Sequence, residues 1–470
     1  MIDAKQRNIA LLVAACFFME NLDGTIVTTA VPRIGADLHV PVSSVGLIIT
    51  AYLMTLAVLI PLSGWMVARL GTRKVFLTAI VLFTFASLLC ASSVNLGELV
   101  AMRVLQGVGG AMMVPVGRLA VVAKTAKPDI MRAVAYIVWP GLVAPVIAPL
   151  AGGVITTYAS WRWLFLINIP LGVIALGIAV RLMPAIPPTN PPKLDWGGFI
   201  LSCLGLSALT WDAHLLSVAA PPWTEVVIVA VISACTLAAA VRHLLRTPAP
   251  LVDLRTLQVM SFRKSLAGGS LFGMTVFSVP FLLPLLFEEV FGWSAIRSGA
   301  IVLFVFVGNI GVKPTTSYLL NRFGFRTVLI TATASMATSL AALGFIRETT
   351  PLAVIAFIAL GSGVARSVGF TAYNTLCFSD IKEEEMRHAN TLFGTSSQLF
   401  GGLGIAAASV ALRLGGPLAS LATSHPARAD AYRVAFLLLA CTVLISTFSA
   451  IRMHEGTGDA LRTTRERAKA

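Results

Sequence analysis

The sequence predicts an all-α membrane protein crossing the bilayer fourteen times, with a parallel internal repeat. Three observations carry that prediction. First, 57% of its 470 residues are hydrophobic and only 12% charged, with a mean hydropathy of +0.86, whereas soluble domains carry about 25% charged residues. Polar side chains are too few to coat the cores that so many apolar residues would build, so lipid must be the outer solvent. Second, the apolar residues fall into fourteen runs near the length of about 20 residues that a spanning helix needs. Third, Lys and Arg gather in alternate connections, and a short pattern after the second run recurs after the tenth.

In order, the runs lie near 9–31, 45–67, 76–95, 98–121, 134–157, 163–183, 197–218, 224–243, 266–287, 298–320, 327–346, 351–373, 395–414 and 432–452. The first is too long for a signal-peptide core of about 7–15 residues and is expected to stay as an anchor. The Pro-rich stretch from Pro184 to Pro192 separates the sixth run from the seventh. The expected organisation is a first bundle over 1–183 and two inserted helices with linkers over 184–265. A second bundle over 266–455 and a basic cytoplasmic tail over 456–470 follow.

Charge fixes the expected orientation. With the N-terminus in the cytoplasm, 24 of the 35 Lys and Arg residues fall on the inner side and seven on the outer, as the positive-inside rule requires. Both termini are then cytoplasmic, as expected for a bacterial inner-membrane protein. The net charge of +14 is spread over these connections rather than gathered on one face, which excludes a nucleic-acid partner. Cys16, Cys90, Cys203, Cys235, Cys377 and Cys441 stand singly in apolar runs, so neither a disulfide framework nor a metal site is expected. No phosphate loop, HExxH or GxSxG pattern occurs, so the sequence gives no support to an ATPase, protease or hydrolase, and no cofactor is expected.

The repeat is parallel. Arg69, Gly71, Arg73 and Val75 match Arg322, Gly324, Arg326 and Val328 at a constant offset of 253 residues, and both copies face the same side. The copies lie eight helices apart; the parallel repeat resembles that between the two six-helix halves of a major facilitator protein, and that resemblance implies two inserted helices. The seventh and eighth runs are the natural pair.

The chemistry concentrates where charge enters hydrocarbon. Glu20 and Asp23 lie in the first run, and a carboxylate at that depth costs about 2.5–3.5 kcal/mol unless it faces a cavity or a partner. Three residues apart, they share one helical face about 4.5 Å apart along the axis. Arg103, about six residues into the fourth run, matches Asp23 in depth and is its expected partner; a purely structural hydrogen-bonded pair is the alternative. Arg103→Ala is expected to disable function with little loss of folded protein. Gln106, Gly107, Gly109 and Gly110 follow, and their small face lets a neighbouring backbone approach. Arg118 is nearer the inner surface and can snorkel. In the fifth run Pro145, Pro149, Gly152 and Gly153 predict a kinked, closely crossing helix.

A substrate cavity is expected to draw on Phe17, Met19, Gln106 and Met113 in the first half. In the second half it draws on Asn309, Lys313, Arg366 and Asn374. Lys313 and Arg366 suit anionic groups or the balancing of the carboxylates, and snorkelling is the alternative. Asp212 and His214 are read as reaching the outer interface, and Glu288 and Glu289 as solvated.

These residues resemble the fourteen-helix drug:proton antiporter family of the major facilitator superfamily. Leu22 to Val27 is similar to its first-helix motif, Gly64 to Val75 to its loop motif, and Arg103 to Ala111 to its fourth-helix motif. Pro149 to Gly153 resembles the antiporter motif and Trp161 to Gly172 the signature entering helix six. Two departures stand out. Ala68 takes the place of an acidic residue in the loop motif, and Ala144 and Ala148 the place of glycines in the antiporter motif.

The resemblance implies a major facilitator fold and proton-driven export of small amphipathic compounds by rocking of the two halves. Asp23 and Arg103 would take part in proton coupling, with Glu20 the expected proton carrier. Gly64, Arg69, Gly71, Arg73, Pro149, Gly152 and Gly153 would serve conformational change. The expected partners are a small-molecule substrate, protons, the lipid bilayer and a periplasmic adaptor protein. Uptake or metabolite exchange on the same scaffold, or a non-transporting membrane sensor, are the alternatives; a membrane enzyme is disfavoured.

Overall fold

The computed structural model describes residues 4–124, 130–185, 187–188, 193–217, 221–248, 250–381, 385–420 and 428–453. The basic tail expected over 456–470 lies outside them. Among the described residues the chain is helical throughout, with no strand, as hydrocarbon demands of a backbone that must satisfy its own hydrogen bonds.

The first helix α1 (Ala4–Ile26) passes through a 3-10 turn (Val27–Ala30) into α2 (Val31–Asp37), so the first span runs six residues beyond its expected end. Pro32, in the first turn of α2, explains the extension: proline is suited to helix starts. There follow α3 (Val42–Leu70), α4 (Thr72–Ser92), α5 (Leu96–Lys124), α6 (Ile130–Tyr158), the single turn α7 (Trp163–Leu166) and α8 (Asn168–Leu182). The inserted pair is α9 (Trp196–Ser217) and α10 (Trp223–Arg246). Then come α11 (Met260–Leu285), α12 (Ala295–Gly311), α13 (Lys313–Phe323), α14 (Phe325–Gly344), α15 (Leu352–Cys377), α16 (Met386–Ser420) and α17 (Arg428–Ile451).

All fourteen expected runs lie on helices. Among the described residues twelve are long and apolar enough to cross a membrane by themselves, and α12 with α13, bent by 52°, makes up to thirteen. The bend corrects the single tenth span expected from sequence: Pro314 sits in the first turn of α13, just after Gly311. The expected fifth span is α6, which stays one helix despite Pro140, Pro145 and Pro149. A π-turn, Leu286–Val290, extends α11.

The helices form two compact units, Met1–Val252 with Ser294–Gly299, and Asp253–Trp293 with Ala300–Ala470. In the first, α1 packs along α6, α5 along both α3 and α4, and α9 along α10 and α3. In the second, α14 packs on α15 and α17, and α16 on α11 and α17. The outward faces of α9 and α10 carry Trp196, Ile200, Val227 and Val231, all exposed, the pattern of a surface solvated by lipid.

The sequence repeat is a repeat in space. Gly71 and Gly324 both adopt positive φ, 83° and 77°, with ψ of 151° and 159°. This backbone region is essentially closed to side-chain-bearing residues. Each glycine donates its N–H to the helix it ends, to the carbonyls of Val67 and Leu320, and starts the next helix. Two residues on, Arg73 donates to the Val180 carbonyl at 2.5 Å and Arg326 to the Ile451 carbonyl at 3.0 Å. Each guanidinium thus caps the C-terminal end of the last helix of its bundle, where the helix dipole favours a cation.

Asp195 fastens the inserted pair. It accepts from the Gly198 N–H at 2.9 Å, an N-terminal cap for α9, from the Leu251 N–H at 3.3 Å, and contacts His243 Nε2 at 2.6 Å.

Candidate functional site

Helices of the first unit converge on Asp23, which is fully buried together with Arg103, Gln106 and Asn168. Arg103 Nη1 donates to Asp23 Oδ2 at 2.5 Å and to Gln106 Oε1 at 2.7 Å, and its Nε donates to the Ile48 carbonyl at 3.3 Å. Two amides hold the other carboxylate oxygen: Gln106 Nε2 donates to Asp23 Oδ1 at 2.9 Å and Asn168 Nδ2 at 2.8 Å. Gln106 also donates to Ser87 Oγ at 2.7 Å. The guanidinium lies 4.2 Å from the ring centroid of Tyr52 and 5.6 Å from that of Phe165, so α3 and the α7 turn close over it.

Small residues on α5 make this convergence possible. A Cβ added at Gly107 would sit 2.8 Å from the Thr55 side chain, one at Gly109 2.7 Å from the Phe83 backbone nitrogen, and one at Gly110 3.1 Å from Tyr52 Oη. The expected close approach along this face is therefore made on two sides, against α3 and α4.

Arg103 lies where the depth argument placed it. Its expected dispensability for folding is revised, however. Removing one partner of a fully buried ion pair strands the other and costs about 3–5 kcal/mol. Asn168 was missed as a site residue, although it lies in the quoted signature; an amide inside an apolar helix was the signal. Tyr52 and Ser87 carried none, because hydroxyl groups are ordinary in membrane helices.

Glu20, three residues before Asp23, has a different setting. It is half-buried, and its Oε2 is shielded from solvent yet takes no hydrogen bond from the described residues. The charges of Asp23 and Arg118 act on it, while Arg118 itself is exposed.

The residues expected around a cavity separate. Met19 and Met113 are packed in the core at 1% and 0% exposure, and Gln106 is committed to Asp23. None of the three faces open space, because helix packing has taken the groups that the sequence offered to a ligand. Phe17 is half-buried against the backbone of Gly141. In the second unit Asn309 is half-buried on α12, Lys313 Nζ donates to Thr371 Oγ1 at 3.1 Å, and Arg366 lies 5.1 Å from the Phe306 ring centroid. Asn374 lines a cavity between α11, α15 and α16.

Of the conformational residues, Gly152 abuts Thr29 Oγ1 and the Ile26 carbonyl, and Gly153 the Ala295 carbonyl, with Pro149 one turn earlier on α6. Gly64 faces open space and Arg69 is exposed, so neither is held by packing. Glu289, expected to be solvated, is only 18% exposed and meets Arg428 at 3.6 Å and Tyr432 at 3.4 Å. The π-turn directs it toward α17.

The sequence profile of the Major Facilitator Superfamily matches residues 13–405. The chain belongs to the major facilitator superfamily. As a member it is a multi-pass membrane transporter and not an enzyme. Among its relatives, HsrA of Haemophilus influenzae, named as a transport protein, is 32% identical over 97% of this chain and 98% of its own. MdtD of Cronobacter sakazakii, named as a multidrug resistance protein, is 35% identical over 94% of this chain and 92% of its own. Solved major facilitator structures share the fold. The nucleoside transporter NupG superposes with a TM-score of 0.64 at 14% identity, covering 96% of this chain and 98% of that one. A D-xylose-proton symporter gives 0.64 at 15% identity, covering 93% and 96%.

Proposed function

We propose that this transporter exports small amphipathic compounds in exchange for protons by alternating access. The observation that carries the reading is the unequal treatment of two carboxyl groups on one face of α1. Asp23 is held by Arg103, Gln106 and Asn168, whereas Glu20 Oε2 has no donor among the described residues. Glu20 is the group left to take and give a proton, and the Asp23 network is the fixed charge that responds to it. Export is favoured over uptake by the relative named for multidrug resistance. The bacterial cytoplasmic membrane, with both termini inside, is favoured by the 24-to-seven distribution of basic residues and by the bacterial relatives.

The test is Glu20→Gln in proteoliposomes, with a compound selected by thermal-shift screening of the purified protein. The variant is expected to bind the compound but to lose transport driven by a pH gradient. Transport at the wild-type rate under the same gradient would remove Glu20 from the mechanism.

A further inference from the structure

The polar centre of the second unit contains cations without acids. Helices α11 to α16 contain no Asp or Glu. The one acid of α17, Asp430, sits in its first turn and meets Arg433 at 2.9 Å. Yet two cations lie away from the ends of these spans. Arg366 occupies the middle of α15, and Lys313 stands at the break between α12 and α13. The backbones of α12 and α15 meet at Gly308 and Gly363, where an added Cβ would strike the carbonyls of Leu360 and Val305. That approach brings the break beside α15, where Lys313 reaches Thr371 and feels the charge of Arg366.

Arg366 is incompletely satisfied. Its guanidinium carbon lies 5.1 Å and 6.0 Å from the ring centroids of Phe306 and Phe277, and its Nη1 is shielded from solvent with no hydrogen-bond acceptor among the described residues. A guanidinium offers five donors and suits carboxylate and phosphate oxygens. Two neighbouring cations with no acid paired to them among the described residues repel each other, and an anion between them relieves both the repulsion and the missing hydrogen bond.

A cavity adjoins them. It is lined by Gly273 and Phe277 of α11, Phe370 and Asn374 of α15, and Phe393 and Phe400 of α16. Phe277 belongs both to this lining and to the cation contact, and Phe370 is one helical turn from Arg366 on the same face. The cations therefore stand beside a cluster of aromatic side chains around a cavity of about 20 Å³.

We infer that Arg366 and Lys313 bind the anionic head, a carboxylate or phosphate, of the transported compound, and that its apolar body lies against the aromatic side chains beside them, which must part to admit it. This deepens the transport reading and rests on it. A cationic compound would find no carboxylate on α11 to α16; the acids of the π-turn, Glu288 and Glu289, lie beyond the residues of α11 that line the cavity, and Glu289 already meets Arg428.

Equilibrium binding of naphthoate, naphthyl phosphate and the neutral naphthamide to the full-length protein in phosphatidylcholine nanodiscs tests the inference; no anionic lipid then competes. At least one of the two anions is expected to bind wild type about ten-fold or more tighter than naphthamide, since hydrogen bonds to charged groups contribute that much. Arg366→Met and Lys313→Met should each remove this preference, and Arg366→Lys should restore part of it. Equal binding of anions and amide, or no binding of either anion, overturns the proposal. So does an unchanged preference in a folded Arg366→Met variant; should that variant not fold, Lys313→Met decides by the same criterion. Binding is read without a pH gradient, so a failure here is separate from a failure of proton exchange, which Glu20→Gln reports.

Discussion

The two units share a scaffold and differ at their centres. Both end a helix on a glycine with positive φ, Gly71 and Gly324, and both send an arginine two residues later to the last helix of the bundle. At mid-helix the likeness ends. The first unit holds two carboxyl groups and closes one of them in a buried network. The second holds Arg366 and Lys313 with no acid in α11 to α16. Duplication has kept what the backbone requires and released what the chemistry requires. On the reading above, the first centre handles protons and the second an anion.

The largest test of that contrast is to delete the central arginine of each unit. Arg103→Ala strands Asp23 and is expected to cost about 3–5 kcal/mol, a large fall in melting temperature of the purified protein. Arg366→Ala strands no partner and forfeits a cation–π contact of about 0.5–2 kcal/mol, so its melting temperature should stay near wild type. Equal falls would erase the distinction drawn between the centres. Substituting Asp23→Asn in the Arg103→Ala background should recover stability without recovering proton-driven transport.

The shared scaffold predicts likeness in turn. Gly71→Ala and Gly324→Ala each force a side chain into a backbone region that costs about 1–3 kcal/mol, and their melting curves should shift by similar amounts. A shift for only one would mean that the repeat is retained in shape but not in strain.

The smallest effect is expected at Asp195, outside the duplicated elements. Burial opposes its ionisation, and donation from Gly198, His243 and Leu251 outweighs burial, so the carboxyl is held below its ordinary value. A carboxyl lowered by folding contributes stability that is complete at neutral pH and is lost as pH falls through its folded-state value. Asp195→Ala should therefore lower the melting temperature at neutral pH by the equivalent of about 1 kcal/mol and by less in acid. An equal deficit at both pH values would show that the cap acts through shape alone.

What the sequence disclosed follows from what is rare in hydrocarbon. Every expected span lies on a helix because runs of apolar residues have no other use at that length. Arg103 could be matched to Asp23 because a charge in a membrane helix faces a partner or a cavity, and depth leaves few choices of partner. Helix breaks were harder to read. Pro32 and Pro314 each open a new helix inside an expected span or just past its end, and proline announces a change of direction without saying whether the helix resumes. Burial of uncharged side chains was least legible: Met19, Met113 and Gln106 have the chemistry of a binding pocket, and only packing shows that their neighbours use it up. Asn168 shows the converse, an apolar run in which one amide completes the network around Asp23.

The first span is gripped twice by one short piece of chain. Asn168 holds Asp23, while Trp161 and Arg162 hold Asp37, at 2.9 Å and 2.7 Å, and the 3-10 turn of Val27–Ala30 lies between the two grips. A rod fixed at two points cannot spin about its axis without carrying its clamp along. A twist of the first span would then be felt at the start of α8 through Asn168, and in α5 through Arg103 and Gln106.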